Sequence, residues 1–238
     1  MKRGMECTWR PRAERRDRSR SLSCCGAIRA RREGRVERDG GGAWCGRAGL
    51  RRLDVAELAP GSLLVATPLL QDPNFARTVV LLCSVDPAGA MGVVLNRPVV
   101  EASVAQHLPA WGAQAREPAV MFRGGPVEPA AGIGVGVVGP DGPPLNWTAF
   151  TDVLGLVDLS AEPDPARPLQ SLRVFIGYAG WTADQLEGEV DEDAWFVVDG
   201  LPADVVDGEP TTLWRRVLQR QRDEKAMYAF YPERAMLN

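Results

Sequence analysis

Residues 172–190 read LRVFIGYAGWTADQLEGEV and change character twice. Leu172 to Ile176 is a short run of continuous apolar character, the pattern of a central strand covered on both faces. Gly177 and Gly180 then supply the conformational freedom of a tight turn. From Trp181 onward the spacing is helical, with Trp181, Leu186 and Val190 able to face inward. A strand, a glycine turn and a helix are therefore expected in that order.

The same reading extends upstream. Gly61–Thr67 (GSLLVAT) and Thr78–Val85 (TVVLLCSV) are apolar runs of strand length, too short for buried helices. Between them Asp72 can accept the N–H groups of the next turn and Pro73 can open it, so 71–75 is expected to form one helical turn. Asp86-Pro-Ala-Gly89 is turn chemistry, and Ala90–Asn96 returns from it as the second arm of a hairpin. Ser103–Leu108 reads as a short helix with Ser103 as its cap. Val120–Phe122 and Gly132–Val138 read as strands.

Downstream, Ala161–Pro168 is a proline-rich connector and Ala194–Val198 a strand. Thr211 to about Glu224 is expected as an amphipathic helix anchored by Leu213, Trp214, Val217 and Leu218. Strands and helices alternate in this reading. Gly134-Val-Gly-Val-Val-Gly139 matches the G-x-G-x-x-G fingerprint in form only. Pro140, Pro143 and Pro144 follow where a dinucleotide site needs a helix N-terminus, so the segment is a glycine-rich strand and turn.

Five blocks occur in fixed order: GSLLVATP (61–68), DPNF (72–75), GAMGVVLNRP (89–98), GGPV (124–127) and GYAGW (177–181) with QLE (185–187). This ordered set resembles the YqgE/AlgH family over roughly residues 58–238, including Leu213-Trp-Arg215 and the closing YPERAMLN. The resemblance implies an α+β fold: a mixed, strongly curved β-sheet forming a flattened pseudo-barrel with helices packed outside. It also implies a bacterial cytoplasmic protein of unsettled biochemical role, in a family often labelled putative transcriptional regulators. One residue departs from the pattern, because Asp184 stands where the family's turn usually has glycine. If that glycine shapes a binding surface, its replacement bears on any ligand the family shares.

Charge divides the chain of 238 residues in two. Residues 1–52 carry 16 Lys+Arg against 6 Asp+Glu, a net +10, whereas 53–238 carry 12 against 25, a net −13. Arg, Gly and Cys without hydrophobic periodicity cannot build a core. Residues 1–52 are therefore expected to be a disordered Arg-rich segment, of the composition that a translation start placed too early would give. Residues 53–238 are expected as a single domain. Four of five cysteines lie in the first piece, so 53–238 holds Cys83 alone and no internal disulfide. No apolar run is long enough for a membrane span.

Enzyme motifs are scarce. The only lysine after residue 52 is Lys225, which rules out a P-loop there, and neither G-x-S-x-G nor H-E-x-x-H occurs. Lone His107 and strand-bound Cys83 read as packing residues. Asp184, Glu187 and Asp191 share a helical face that could hold magnesium, the basis of an alternative carboxylate and divalent-metal enzyme, although solvated helix acids explain them as well.

Two loops offer a ligand site. Successive N–H groups of Gly124 and Gly125 could form an anion nest, to which Asn96 and Arg97 would add an amide and a guanidinium. The competing reading has Asn96 and Arg97 ending a strand by bonding backbone carbonyls, with the glycines merely turning the chain. Trp181, Gln185 and Glu187 form the other candidate surface, or else a packed aromatic beside a capped helix.

The favoured reading is thus a non-catalytic binding or regulatory protein acting through a partner protein or small anionic ligand, with no cofactor and no metal. A DNA-binding regulator is a further alternative, resting on Arg215, Arg216, Arg220 and Arg222. The core's net negative charge opposes it, since a body at −13 repels phosphate.

Overall fold

The apolar runs of the sequence become the inner strands of one sheet. A computed structural model describes residues 58–206 and 208–232. The expected disordered segment 1–52 lies outside these described residues. Ser62–Ala66 (β1) pairs antiparallel with Val79–Asp86 (β2), and β2 turns through Asp86-Pro-Ala into Gly89–Val94 (β3). Asp86 Oδ1 accepts the Ala88 and Gly89 N–H groups at 2.8 and 3.2 Å, so the hairpin turn is closed by its own first side chain. The helical turn expected after Gln71 is present as well: the Asp72 carbonyl accepts from the Phe75 and Ala76 N–H groups at 2.9 and 2.7 Å.

Pro98–Ser103 (β4) pairs with Val120–Arg123 (β5). Between them lie a one-turn helix, Val104–His107 (α1), and a 3₁₀ turn, Pro109–Gln114. Ser103 stands at the N-cap of α1 but its hydroxyl makes no capping bond. Val127–Val137 (β6), Trp147–Ala149 (β7) and Leu154–Val157 (β8) follow, then the longest strand, Ser171–Thr182 (β9). Ala183–Asp191 (α2), Trp195–Asp199 (β10), Pro202–Val206 (α3), Leu213–Gln219 (α4) and Lys225–Tyr228 (α5) complete the described chain.

The strand order is β10-β1-β2-β3-β9-β6-β8-β7, with β5 also on β9 and β4 on β5. All pairings are antiparallel except β5 with β9, which makes the sheet mixed. The result is a strongly curled half-barrel carrying short helices, the α+β fold that the resemblance implies. The expected alternation of strands and helices gives way to an antiparallel meander. The reason is that β4, β7 and β8, short strands of three to six residues not expected from the sequence, interpose between the stronger strands.

β9 is also where the turn expected at Gly177–Thr182 is corrected. The chain does not turn there; it continues as a strand and changes partners. Ser171–Ile176 pairs with β6 and β5, and Ala179–Thr182 pairs with β3. Gly177 marks the switch at φ +69°, a left-handed conformation that favours glycine. Gly124 and Gly125 cross it closely: a Cβ on Gly124 would lie 2.2 Å from the Gly177 oxygen, and one on Gly125 2.2 Å from the Tyr178 carbonyl carbon. These glycines let two backbones meet where the sheet curls.

Period-2 alternation explains why the inner strands are apolar throughout. Leu63 and Val65 of β1 face one cluster with Leu81, Phe122, Phe175 and the α4 residues Leu213, Trp214, Val217 and Leu218. Leu64 and Ala66 face a second with Val80, Val94, Trp181, Leu186 and Trp195. Each such side chain, fully buried, stabilises the fold by about 1.5–3 kcal/mol before entropy is counted. The helix expected over 211–224 is shorter, ending at Gln219, because 220–224 (RQRDE) offers no apolar residue to continue the stripe. Gly134–Val137 is strand, and Gly139 bridges to Gly142 across a turn, as the proline pattern requires.

Candidate functional site

Construction of the site begins at Asn96, just past β3. Its side chain is buried. Oδ1 accepts the Val79 N–H at 3.0 Å and Nδ2 donates to the Arg77 carbonyl at 2.9 Å. Arg97 reaches the same turn from the next position, its Nη2 donating to the Ala76 carbonyl at 2.9 Å and lying 3.5 Å from that of Pro73. On the other side of the turn, Asp72 Oδ1 accepts the Asn74 N–H at 2.8 Å. Three side chains thus fix a five-residue turn whose last member, Arg77, is held at φ +56°. A non-glycine residue rarely adopts that conformation unless its surroundings impose it.

Held in this way, the Arg77 guanidinium lies over the Trp214 ring, 4.5 Å from its centroid. Trp214 is itself fixed, since its indole N–H donates to the Ala66 carbonyl at 2.7 Å. Arg77, Trp214, Arg215, Thr211 and Thr212 line a cleft of about 230 Å³. The hydroxyls of Thr211 and Thr212 donate to Glu209 Oε1 and to its carbonyl, at 3.0 and 2.9 Å, leaving oxygen lone pairs available. Among the described residues neither Arg77 nor Arg215 is paired with a carboxylate, unlike Arg220 with Asp204 and Lys225 with Asp223. Instead Arg77 Nη2 donates to the carbonyls of Tyr231 and Pro232 at 2.7 and 2.5 Å, and Arg215 Nε to that of Ala229 at 3.2 Å. Two guanidinium charges with no carboxylate partner among the described residues, one of them on an indole face, are suited to an anion.

The residues singled out from sequence fall in three places. Asn96 and Arg97 lie behind the cleft and shape it through the Arg77 turn. Gly124 and Gly125 lie at the β9 crossing; Gly124 donates its N–H to the Ile176 carbonyl at 2.8 Å and accepts from the Val94 N–H at 2.8 Å. Neither glycine has the positive φ expected of a nest.

Trp181, Gln185 and Glu187 belong to the opposite face of the sheet. There Glu189 is the hub: Oε2 accepts the Trp181 and Trp195 indole N–H groups at 2.9 and 2.7 Å, and Oε1 accepts from Gln185 at 3.0 Å. Phe75 packs on both indoles, with ring centroids 5.9 and 5.5 Å apart. Glu187 is exposed beside this cluster, and Asp184 is exposed in the first turn of α2, which Thr182 caps.

Sequence reasoning missed Arg77, Thr211 and Thr212 as cleft residues, and noted Arg215 only as part of a basic helix face. The one available signal was the position of Arg77 at the junction of the Asp72–Phe75 turn with β2. Cys83 is buried, and desolvation pushes its thiol up to about 12, far from an activated nucleophile. His107 only holds the Ser103 carbonyl, with Nδ1 at 2.9 Å. Among the described residues no three His, Cys, Asp or Glu side chains are placed to share a metal ion.

The molecule is therefore an α+β protein built on a curled antiparallel half-barrel with a cationic cleft at one helix. Its chain belongs to the AlgH-like family, whose model matches residues 63–226. It is 51% identical to a UPF0301 protein of Streptomyces avermitilis over 183 residues, covering 75% of this chain and 94% of that one. A UPF0301 protein of Mycobacterium leprae is 41% identical, with 72% and 87% covered.

Two solved structures are similar. A Corynebacterium diphtheriae protein matches with TM-score 0.69 and 31% identity, over 76% of this chain and 98% of that one. The AlgH protein of Pseudomonas aeruginosa matches with TM-score 0.53 and 26% identity, over 73% and 94%. No helix among the described residues is long and apolar enough to cross a membrane.

Proposed function

We propose that this protein is a non-catalytic binding protein that takes a small anion, of the phosphate or carboxylate class, in the Arg77–Arg215 cleft. Occupancy would be read by a partner protein in the bacterial cytoplasm. The observation that carries this reading is the pair of arginines, unmatched by a described carboxylate, on a body with a net charge of −13. An acidic protein that keeps two guanidinium groups, unmatched by a described carboxylate, at a preformed cleft has a local exception to its own field.

The two alternatives find less support. Of the four arginines proposed to meet DNA, Arg220 is engaged with Asp204 and with the Asp199 carbonyl, and Arg216 too has a partner within the chain. The carboxylates of α2 do not converge, as a divalent-metal enzyme would need.

Calorimetry with inorganic phosphate and with citrate tests the proposal. Arg77→Ala is expected to weaken binding by about tenfold or more, the worth of one charge-assisted interaction. Equal heats for the wild-type and Arg77→Ala proteins would count against the site.

A further inference from the structure

The arginines of the cleft already hold protein. Both arginines that line it donate to the main chain of one four-residue stretch, Ala229–Pro232. Resting on the anion-binding reading above, we propose that Phe230–Pro232 hold the Arg77 guanidinium at the edge of the cleft in place of an anion, and that anion binding displaces them.

Guanidinium geometry supplies the argument. A guanidinium offers an anion two bidentate edges, Nε with Nη2 and Nη1 with Nη2, and both include Nη2. In Arg77 the two Nη2 hydrogens are committed to the Tyr231 and Pro232 carbonyls at 2.7 and 2.5 Å. While the stretch is in place, an anion meets Arg77 through single contacts only. Bidentate binding requires the carbonyls to leave. Exchange favours the anion, because bonds between two charged groups are stronger than bonds from a guanidinium to a neutral carbonyl.

What is displaced is weakly held and what remains is fixed. Ala229 is buried and stays in the core, but Phe230 is 77% exposed and Tyr231 39% exposed, so little apolar burial retains these two residues. Their N–H groups bond only to the nearby Met227 and Tyr228 carbonyls, at 3.2 and 2.9 Å. Arg77 is anchored by Asn96 and the Asp72 turn, and Trp214 by Ala66, so the receptor persists when the occupant goes. The output of binding is a freed Phe230–Pro232 segment carrying two aromatic side chains.

Hydrogen exchange on the full chain tests this directly, with phosphate as the probe. Saturating phosphate is expected to speed exchange at Phe230 and Tyr231 by about fivefold or more, the lower end of ordinary coupling between sites. By reciprocity, a chain ending at Phe230 is expected to bind phosphate about fivefold or more tightly than the full chain. If phosphate binds both chains equally and exchange is unchanged or slower, displacement is overturned while the anion site stands. If neither chain gives heat with phosphate, the anion reading fails first and displacement falls with it. Should the shortened chain fail to fold, exchange on the intact protein still decides.

Discussion

Glu189 shows how one side chain can organise a face of the sheet without being a ligand site. Its carboxylate accepts three neutral donors, two of them indole N–H groups on tryptophans that are themselves buried. Replacing it orphans those donors, and each buried donor left unpaired costs about 1–3 kcal/mol. Glu189→Ala is accordingly expected to lower unfolding stability by about 2–4 kcal/mol in urea titration. Glu189→Gln should cost about 1 kcal/mol or less, because its amide oxygen can keep both indoles while Gln185 turns to accept from its amide nitrogen. A loss of under about 0.5 kcal/mol for Glu189→Ala would show that water satisfies the indoles instead.

At the scale of elements, the β5–β9 crossing decides the curl. β9 changes partners at Gly177, and Gly124 and Gly125 allow the approaching backbone to come within contact that no side chain tolerates. Gly125→Ala would set a Cβ 2.2 Å from both atoms of the Tyr178 carbonyl, and backbone at that distance has nowhere to yield. It is expected to cost more than about 3 kcal/mol or to prevent folding. Gly180→Ala is the control: a Cβ there meets only the Tyr178 ring, at 3.5 Å, and should change stability by about 0.5 kcal/mol or less. Equal thermal midpoints for the two variants would mean that the crossing relaxes freely.

For the whole molecule, the division of charge makes its own prediction. Residues from 58 onward build buried clusters on both faces of the sheet. Removing residues 1–52 is expected to leave Tm within about 2 °C, the effect of about 0.5 kcal/mol on a domain of this size. A larger fall in scanning calorimetry would place part of the core in that segment.

Much of the fold was legible in the sequence. The runs at 62–66 and 79–86 are apolar on both faces, and such runs of strand length have few alternatives to an inner strand. The path of β9 was not legible, because glycine permits a turn and a close strand crossing alike, and only the neighbouring backbone distinguishes them. The same holds for the cleft. Asn96 and Arg97 stood out by residue type, yet they serve through backbone carbonyls 19 to 24 positions away. Arg77 and Arg215 lie 138 positions apart, and no local pattern pairs them.

By itself, then, the sequence determined which segments are buried, where the chain reverses at Asp86–Gly89, and that residues 53–238 are acidic, because burial period, turn chemistry and charge are properties of short stretches. Tertiary structure alone decided the partner switch of β9 and the meeting of Arg77 and Arg215 at one cleft, because both depend on which backbone arrives from far along the chain.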